Sequence, residues 1–277
     1  MSTPTTSTPT TSTPTTSTTT TSTSTSTTTT STPTTSTPTT STTATSTTAT
    51  STPTTSTPTA SNTTTMLTNG RLRLALHTLR TGDGAALLLL HGLGESSPNA
   101  VPDELAAWPG PMHALDFCGH GESESAIGGG YSCEQLMSDA DAALAAIGPA
   151  TVLGRGLGGY IGVLIGGARP ELVRGVIIDD GTGLAGGGTR PGSTTVEFPD
   201  ARVSDGTPDP YALMELSSDI RPKDYATSFV RSAVEISGLP TPVAVVAHAR
   251  APWLDAVIDE YGVVSTTLER ALDMFAR

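Results

Sequence analysis

The stretch Gly154-Arg155-Gly156-Leu157-Gly158-Gly159 lies between an apolar run, Ala150 to Leu153, and a helical pattern, Leu157 to Ala168. Strand, glycine turn and helix in that order form a nucleophile elbow. There the central residue of Gly-x-Ser-x-Gly is held on a strained turn with its side chain above the sheet. The central residue here is Gly156, so the turn survives and the hydroxyl is missing. Asp179-Asp180 ends a second apolar run and His248 a third. If neighbouring strands carry them, Asp180 and His248 come within hydrogen-bond reach, and a His–Asp pair can act as general base on water. The structural reading of the same residues is plainer: Asp180 caps a strand-to-loop turn and His248 is a satisfied strand-end polar residue.

The elements that must position these residues alternate. Leu72 to Leu79 reads as a strand with Leu72, Leu74 and Leu76 on one face. Ala85 to Leu90 is continuously apolar, as a strand buried on both faces should be, and Met112 to Phe117 reads as another. Ser132 opens a helix with Gln135 as the far half of a capping box, and Gly148-Pro149 stops it. Leu172 to Asp179 and Val243 to Ala247 are further strands. Helical patterns begin at Asp209-Pro210, Pro222 and Pro252. A last helix carries Thr266 and Glu269 as a capping box. Such alternation predicts an α/β fold, a mostly parallel sheet with helices on both faces. A Gly/Pro/Ser-rich segment interrupts it, and the stretch from about 184 to 239 is the expected lid over the carboxyl ends of the strands.

The chain has 277 residues and a formal net charge of −12. Residues 1–65 repeat Ser-Thr-Pro-Thr-Thr with variants, carry no charge and hold almost nothing apolar. Such a segment does not bury enough surface to offset its ordering entropy, so it is expected to be disordered, with the folded domain at 66–277. It reads either as an O-glycosylated stalk or as a translated repeat ahead of a natural start at Met66. The absence of a basic and then apolar leader near Met1 favours the second. All the acidity falls in the domain, which excludes nucleic acid and anionic membrane as expected partners. No apolar run reaches the length of a membrane span. Cys118 and Cys133 are expected to be reduced, partly buried thiols in a cytoplasmic protein.

His91-Gly92-Leu93-Gly94, then Asp116-Phe117-Cys118-Gly119-His120-Gly121-Glu122-Ser123, then the glycine elbow each end a strand, in that order. Together they resemble the α/β-hydrolase superfamily, in its single-domain esterase-like branch, over residues 71 to 277. The resemblance implies an α/β-hydrolase fold. It gives the backbone N–H groups of Leu93 and Leu157 the place of oxyanion donors, His91, Gly92 and Arg155 a place in the pocket, and the Asp116 segment a structural turn. It also implies a nucleophile, an acid and a histidine. The nucleophile position is Gly156. Pro252 stands where the acid follows the penultimate strand, in His248-Ala249-Arg250-Ala251-Pro252, and no histidine occurs after His248. Glycine at the elbow centre also resembles the non-enzymatic N-myc downstream regulated family.

The expected function is therefore that of a hydrolase-family protein without the Ser-His-Asp triad, a pseudo-hydrolase holding a small apolar molecule. The alternative is an unconventional hydrolase or lyase acting on an ester-like substrate through Asp180 and His248. No cofactor is expected, and no Cys/His spacing suggests a metal. Arg155 can meet an anionic ligand or be paired with an acid. His91 and His120 read as structural turn residues, His77 and His113 as strand residues, and Cys118 as an inert thiol.

Overall fold

The computed structural model describes residues 59–184, 206–218 and 221–276. Almost all of the Ser/Thr/Pro repeat and residues 185–205, where much of the expected lid falls, lie outside them. In chain order the strands are β1 (Thr59–Asn69), β2 (Leu72–Thr81), β3 (Ala86–Leu90), β4 (Met112–Leu115), β5 (Ala150–Arg155), β6 (Val173–Asp179), β7 (Val243–Val245) and β8 (Val263–Ser265). The helices are α1 (Cys133–Ile147), α2 (Leu157–Ala168), α3 (Pro210–Ser218), α4 (Lys223–Ile236), α5 (Pro252–Ile258) and α6 (Leu268–Phe275).

The strands form one eight-stranded sheet in the order β1-β2-β4-β3-β5-β6-β7-β8. β1 and β2 pair antiparallel, as do β2 and β4, and every other pair is parallel. The alternation along each strand divides the core into two layers. Leu88, Leu90, Val152, Val176 and Ile178 face the side covered by α1, α2, α4 and α5. Leu87, Leu89, Leu153 and Ile177 face the other side, where Leu105, Trp108 and the α6 residues Ala271, Leu272 and Phe275 cover them. Arg155 and Asp179 extend the second set and Asp180 the first, so the two aspartates at the end of β6 look to opposite faces of the sheet.

The structure corrects the sequence reading in four places. The strand β1 begins at Thr59, seven residues inside the expected disordered tail, and pairs through Thr63, Thr64 and Thr65 with Thr78, His77 and Leu76. Threonine is a good strand former once a partner edge exists, and the edge of β2 supplies one. The helix α4, assigned to the lid, is part of the sheet's cover: Ala226, Val230 and Ala233 are buried. It lies so close to α2 that a Cβ on Gly167 would come within 2.4 Å of the Phe229 carbonyl oxygen. The last helix is capped by Thr267, which accepts the Arg270 N–H, and not by Thr266. The α1 capping box is half made, because Ser132 accepts the Gln135 N–H while the Gln135 amide turns to Asp139.

Candidate functional site

Gly156 sits between β5 and α2 with φ 50° and ψ −113°, a conformation that L-residues with a Cβ adopt only under strain. Its N–H donates to the Asp179 carbonyl at 3.1 Å, and its own carbonyl accepts from Gly159 at 3.0 Å, which starts the helix. Gly158 has no side chain because none fits: a Cβ there would meet the Leu90 carbonyl oxygen at 2.3 Å. The elbow is thus built as the sequence implies, with a bare centre.

The space above that centre is taken by the backbone of residues 181–183. A Cβ on Gly156 would lie 2.3 Å from the Thr182 carbonyl oxygen and 2.4 Å from the Gly181 carbonyl carbon. The same Thr182 oxygen accepts the Leu93 N–H at 3.0 Å and the Leu157 N–H at 2.9 Å. These are the two amides that the resemblance makes oxyanion donors, and an internal carbonyl occupies both. The Thr182 hydroxyl fixes the arrangement by donating to the Leu93 carbonyl at 2.5 Å. Glycine on either side makes the approach possible, since a Cβ on Gly183 would press on the side chains of Leu93 and Leu157 at 2.7 and 3.0 Å. Thr182 escaped the sequence reading. Its only signal was a threonine between two glycines directly after the β6 carboxylates.

Asp180 and His248 do come together. His248 Nδ1 is 3.1 Å from Asp180 Oδ2. The Asp180 carboxylate also accepts the backbone N–H of His248 at 3.0 Å and of Ala249 at 2.8 Å. Burial works against its charge, but these bonds win and hold it below the ordinary carboxylate range. The His248 side chain is 89 % exposed, and the cavity between the elbow and Ala247, Ala249 and Trp253 is only about 20 Å³. That is room for about one water molecule. Pro252 takes the first helical position of α5, where a missing N–H costs nothing.

The other titratable groups are held by the fold. His91 donates Nδ1–H to the Gly92 carbonyl at 2.7 Å and accepts the Phe117 N–H on Nε2 at 3.1 Å. That pattern requires the neutral ring, and burial lowers its pKa. Asp116 accepts from Ser97 N at 2.7 Å, Glu122 N at 2.8 Å and His77 Nε2 at 2.9 Å. His113 meets the Thr78 hydroxyl at 3.2 Å. Cys118 and Cys133 are buried thiols, and burial with Asp139 nearby pushes the Cys118 pKa up, the opposite of an activated nucleophile.

A larger cavity, about 250 Å³, opens on the other face of the sheet at the carboxyl ends of β3, β5 and β6. Leu89, Leu153, Leu105 and Leu268 form apolar wall; Glu95, Glu104, Arg155 and Asp179 are its charged lining, with His91 at its edge. Arg155 pairs with Glu95 at 3.2 Å, and Glu95 also takes the Gly92 N–H at 3.0 Å. So Arg155 is acid-paired rather than waiting for an anion, while Gly92 packs against Thr182, whose hydroxyl oxygen would lie 2.7 Å from a Cβ placed there.

Sheet order, elbow and motif order together define the class of fold: the chain has the α/β-hydrolase fold. The family model described as "Serine aminopeptidase, S33" matches residues 83–179, the segment from the turn before β3 to the end of β6. No curated protein sequence matches the chain. Among solved structures, the thioesterase domain from the curacin biosynthetic pathway superposes with a TM-score of 0.53 at 14% identity, over 78% of this chain and 96% of that one. A hypothetical protein from Pseudomonas aeruginosa gives 0.51 at 17% identity, over 77% and 99%. A "predicted CIB-like hydrolase from Thermoplasma acidophilum" gives 0.37 at 15% identity, and the alignment spans 43% of this chain and 62% of that one. At these identities the first two show a likeness of fold alone. Among the described residues no helix is long and apolar enough to cross a membrane.

Proposed function

We propose that this chain is a pseudo-hydrolase: a hydrolase-fold protein that does not run serine-hydrolase chemistry and instead holds a small, largely apolar molecule. One observation carries the reading, the Thr182 carbonyl oxygen bonded to both Leu93 N–H and Leu157 N–H over a side-chain-free Gly156. Acyl transfer needs a nucleophile beneath a pair of donors free to receive developing negative charge. Here the donors are filled before any substrate arrives. The 250 Å³ cavity beside Arg155 and Asp179 is a better ligand site than the water-sized space at the elbow. Buried thiols suit a reducing, cytoplasmic setting.

The 3.1 Å contact between His248 and Asp180 favours a second reading, general-base hydrolysis or elimination by that pair. Against it, the carboxylate is spent on the backbone of residues 248 and 249 and the imidazole stands in solvent. A panel of short and long-chain esters and thioesters separates the two. The pseudo-hydrolase reading expects no turnover above buffer; turnover that vanishes in His248→Ala would transfer the site to the Asp180–His248 pair.

A further inference from the structure

The cavity on the second face has a selective chemistry of its own. Arg155 and Asp179 are register partners on neighbouring parallel strands, so their side chains stand side by side on one face. The guanidinium turns away to Glu95, with Nε and Nη2 3.2 and 3.4 Å from its carboxylate oxygens. Asp179 keeps one internal bond, accepting the Asp180 N–H on Oδ1 at 2.8 Å. Burial is the largest influence on it and raises its pKa; the Asp180 N–H bond and the Arg155 charge oppose the rise, and the charges of Asp180 and Glu104 add to it. It is a half-buried carboxylate with unspent hydrogen-bonding capacity on the wall of an apolar hollow. Glu104 lines the same hollow from the 3₁₀ turn Asp103–Leu105. Among the described residues that line it, carboxylates thus outnumber the single guanidinium, which is already paired. The amino end of α6 also reaches the wall at Leu268, but Thr267 caps its Arg270 N–H and Glu269 offsets its dipole.

We infer that this cavity binds a small amphipathic amine, with its apolar body against Leu89, Leu105, Leu153 and Leu268 and its ammonium group on Asp179 and Glu104. An apolar wall accounts for most of the contact in such sites and a few placed polar groups choose the head group. An ammonium donates three hydrogen bonds and takes no acceptor role. It would satisfy Asp179 and relieve the repulsion among the carboxylates; a carboxylate ligand would add to it. The ligand class rests on the reading of this cavity as the binding site, and its test is independent of ester turnover.

Three molecules of nearly one shape serve as probes: 2-phenylethylammonium, 2-phenylethanol and 3-phenylpropionate, titrated into the full chain at pH 7 by calorimetry or ligand-observed NMR. The ammonium should bind at least tenfold more tightly than the carboxylate. Asp179→Asn should weaken the ammonium by about tenfold and leave the alcohol within twofold, which also reports an intact cavity. Glu104→Gln, on the exposed turn, should weaken the ammonium a fewfold without touching the fold. The inference is overturned if the carboxylate binds as well as the amine, if neither variant changes amine affinity, or if none of the three binds. In the last case the absence of ester turnover would still stand. Conversely, ester turnover with amine selectivity intact would overturn only the pseudo-hydrolase reading.

Discussion

The carbonyl oxygen of Thr182 accepts the Leu157 N–H at 2.9 Å, and so an acceptor from within the chain satisfies the amino end of α2. Leu93 N–H reaches the same oxygen at 3.0 Å. Both amides should therefore exchange slowly with solvent, at rates close to those of the buried strand β3. Hydrogen-exchange mass spectrometry or NMR reads this directly. Fast exchange at both positions would mean that the carbonyl does not hold them in solution.

Restoring the hydroxyl should harm the fold before it helps any chemistry. Gly156→Ser places a Cβ 2.3 Å from the Thr182 oxygen at a backbone φ of 50°. Overpacking and left-handed backbone strain together should cost about 2–5 kcal/mol in urea unfolding. Turnover should stay at background, because the new serine lacks a base. A variant as stable as the parent would show that residues 181–183 yield readily.

The strand β1 predicts a sharp contrast between truncations. Removing residues 1–65 takes away Thr63, Thr64 and Thr65 from the ladder with β2 and the Thr64 hydroxyl from His77 Nδ1 at 3.0 Å. That His77 ring in turn holds Asp116 at 2.9 Å. Cross-strand pairs contribute roughly 0.2–1 kcal/mol each, so the loss should be about 1–4 kcal/mol. Removing only residues 1–52 should leave the thermal midpoint unchanged. Equal midpoints for both truncations would contradict the pairing.

Much of this architecture was legible in the sequence, for physical reasons. Strands β3 and β6 are apolar on both faces, the α1 stripe ends at Gly148, and three strand-end motifs stand in order, so sheet, helices and elbow followed from period and turn chemistry. The strand β1 was not legible. Its threonines look the same in a repeat as in a ladder, and only the edge of β2 decides between them. The helix α4 was misplaced because chain order after an interruption says nothing about which surface a helix covers. Gly156, Pro252 and the Asp180–His248 approach were readable as residue types at known offsets. The Thr182 plug and the cavity on the second face depend on a long-range backbone contact and on which way β5 and β6 side chains point.

Acid should weaken the fold in two stages. Burial pushes the His120 imidazole from its ordinary 6.5 down to about 4. The unfolded chain then binds the extra proton, so stability is full above 6.5 and is lost as pH falls through the window between 6.5 and 4. The loss should be at most about 3–4 kcal/mol, from 1.36 kcal/mol per pKa unit. His120→Gln, which keeps a donor for the Cys118 carbonyl, should flatten that window. Asp116 and Asp180 have depressed pKa values, so their contribution is present above the unfolded carboxylate pKa and disappears only at lower pH. A profile unchanged by His120→Gln would show that this ring is not the first group to titrate.

The central claim is that no activated nucleophile stands at the elbow. Intact-protein mass spectrometry after incubation of the full chain with a fluorophosphonate tests it most directly. The predicted result is an unshifted mass for the parent and also for Gly156→Ser, since neither places a base beside a hydroxyl at residue 156. Stoichiometric labelling of the parent on any serine, abolished by a substitution in the elbow or at Thr182, would contradict it.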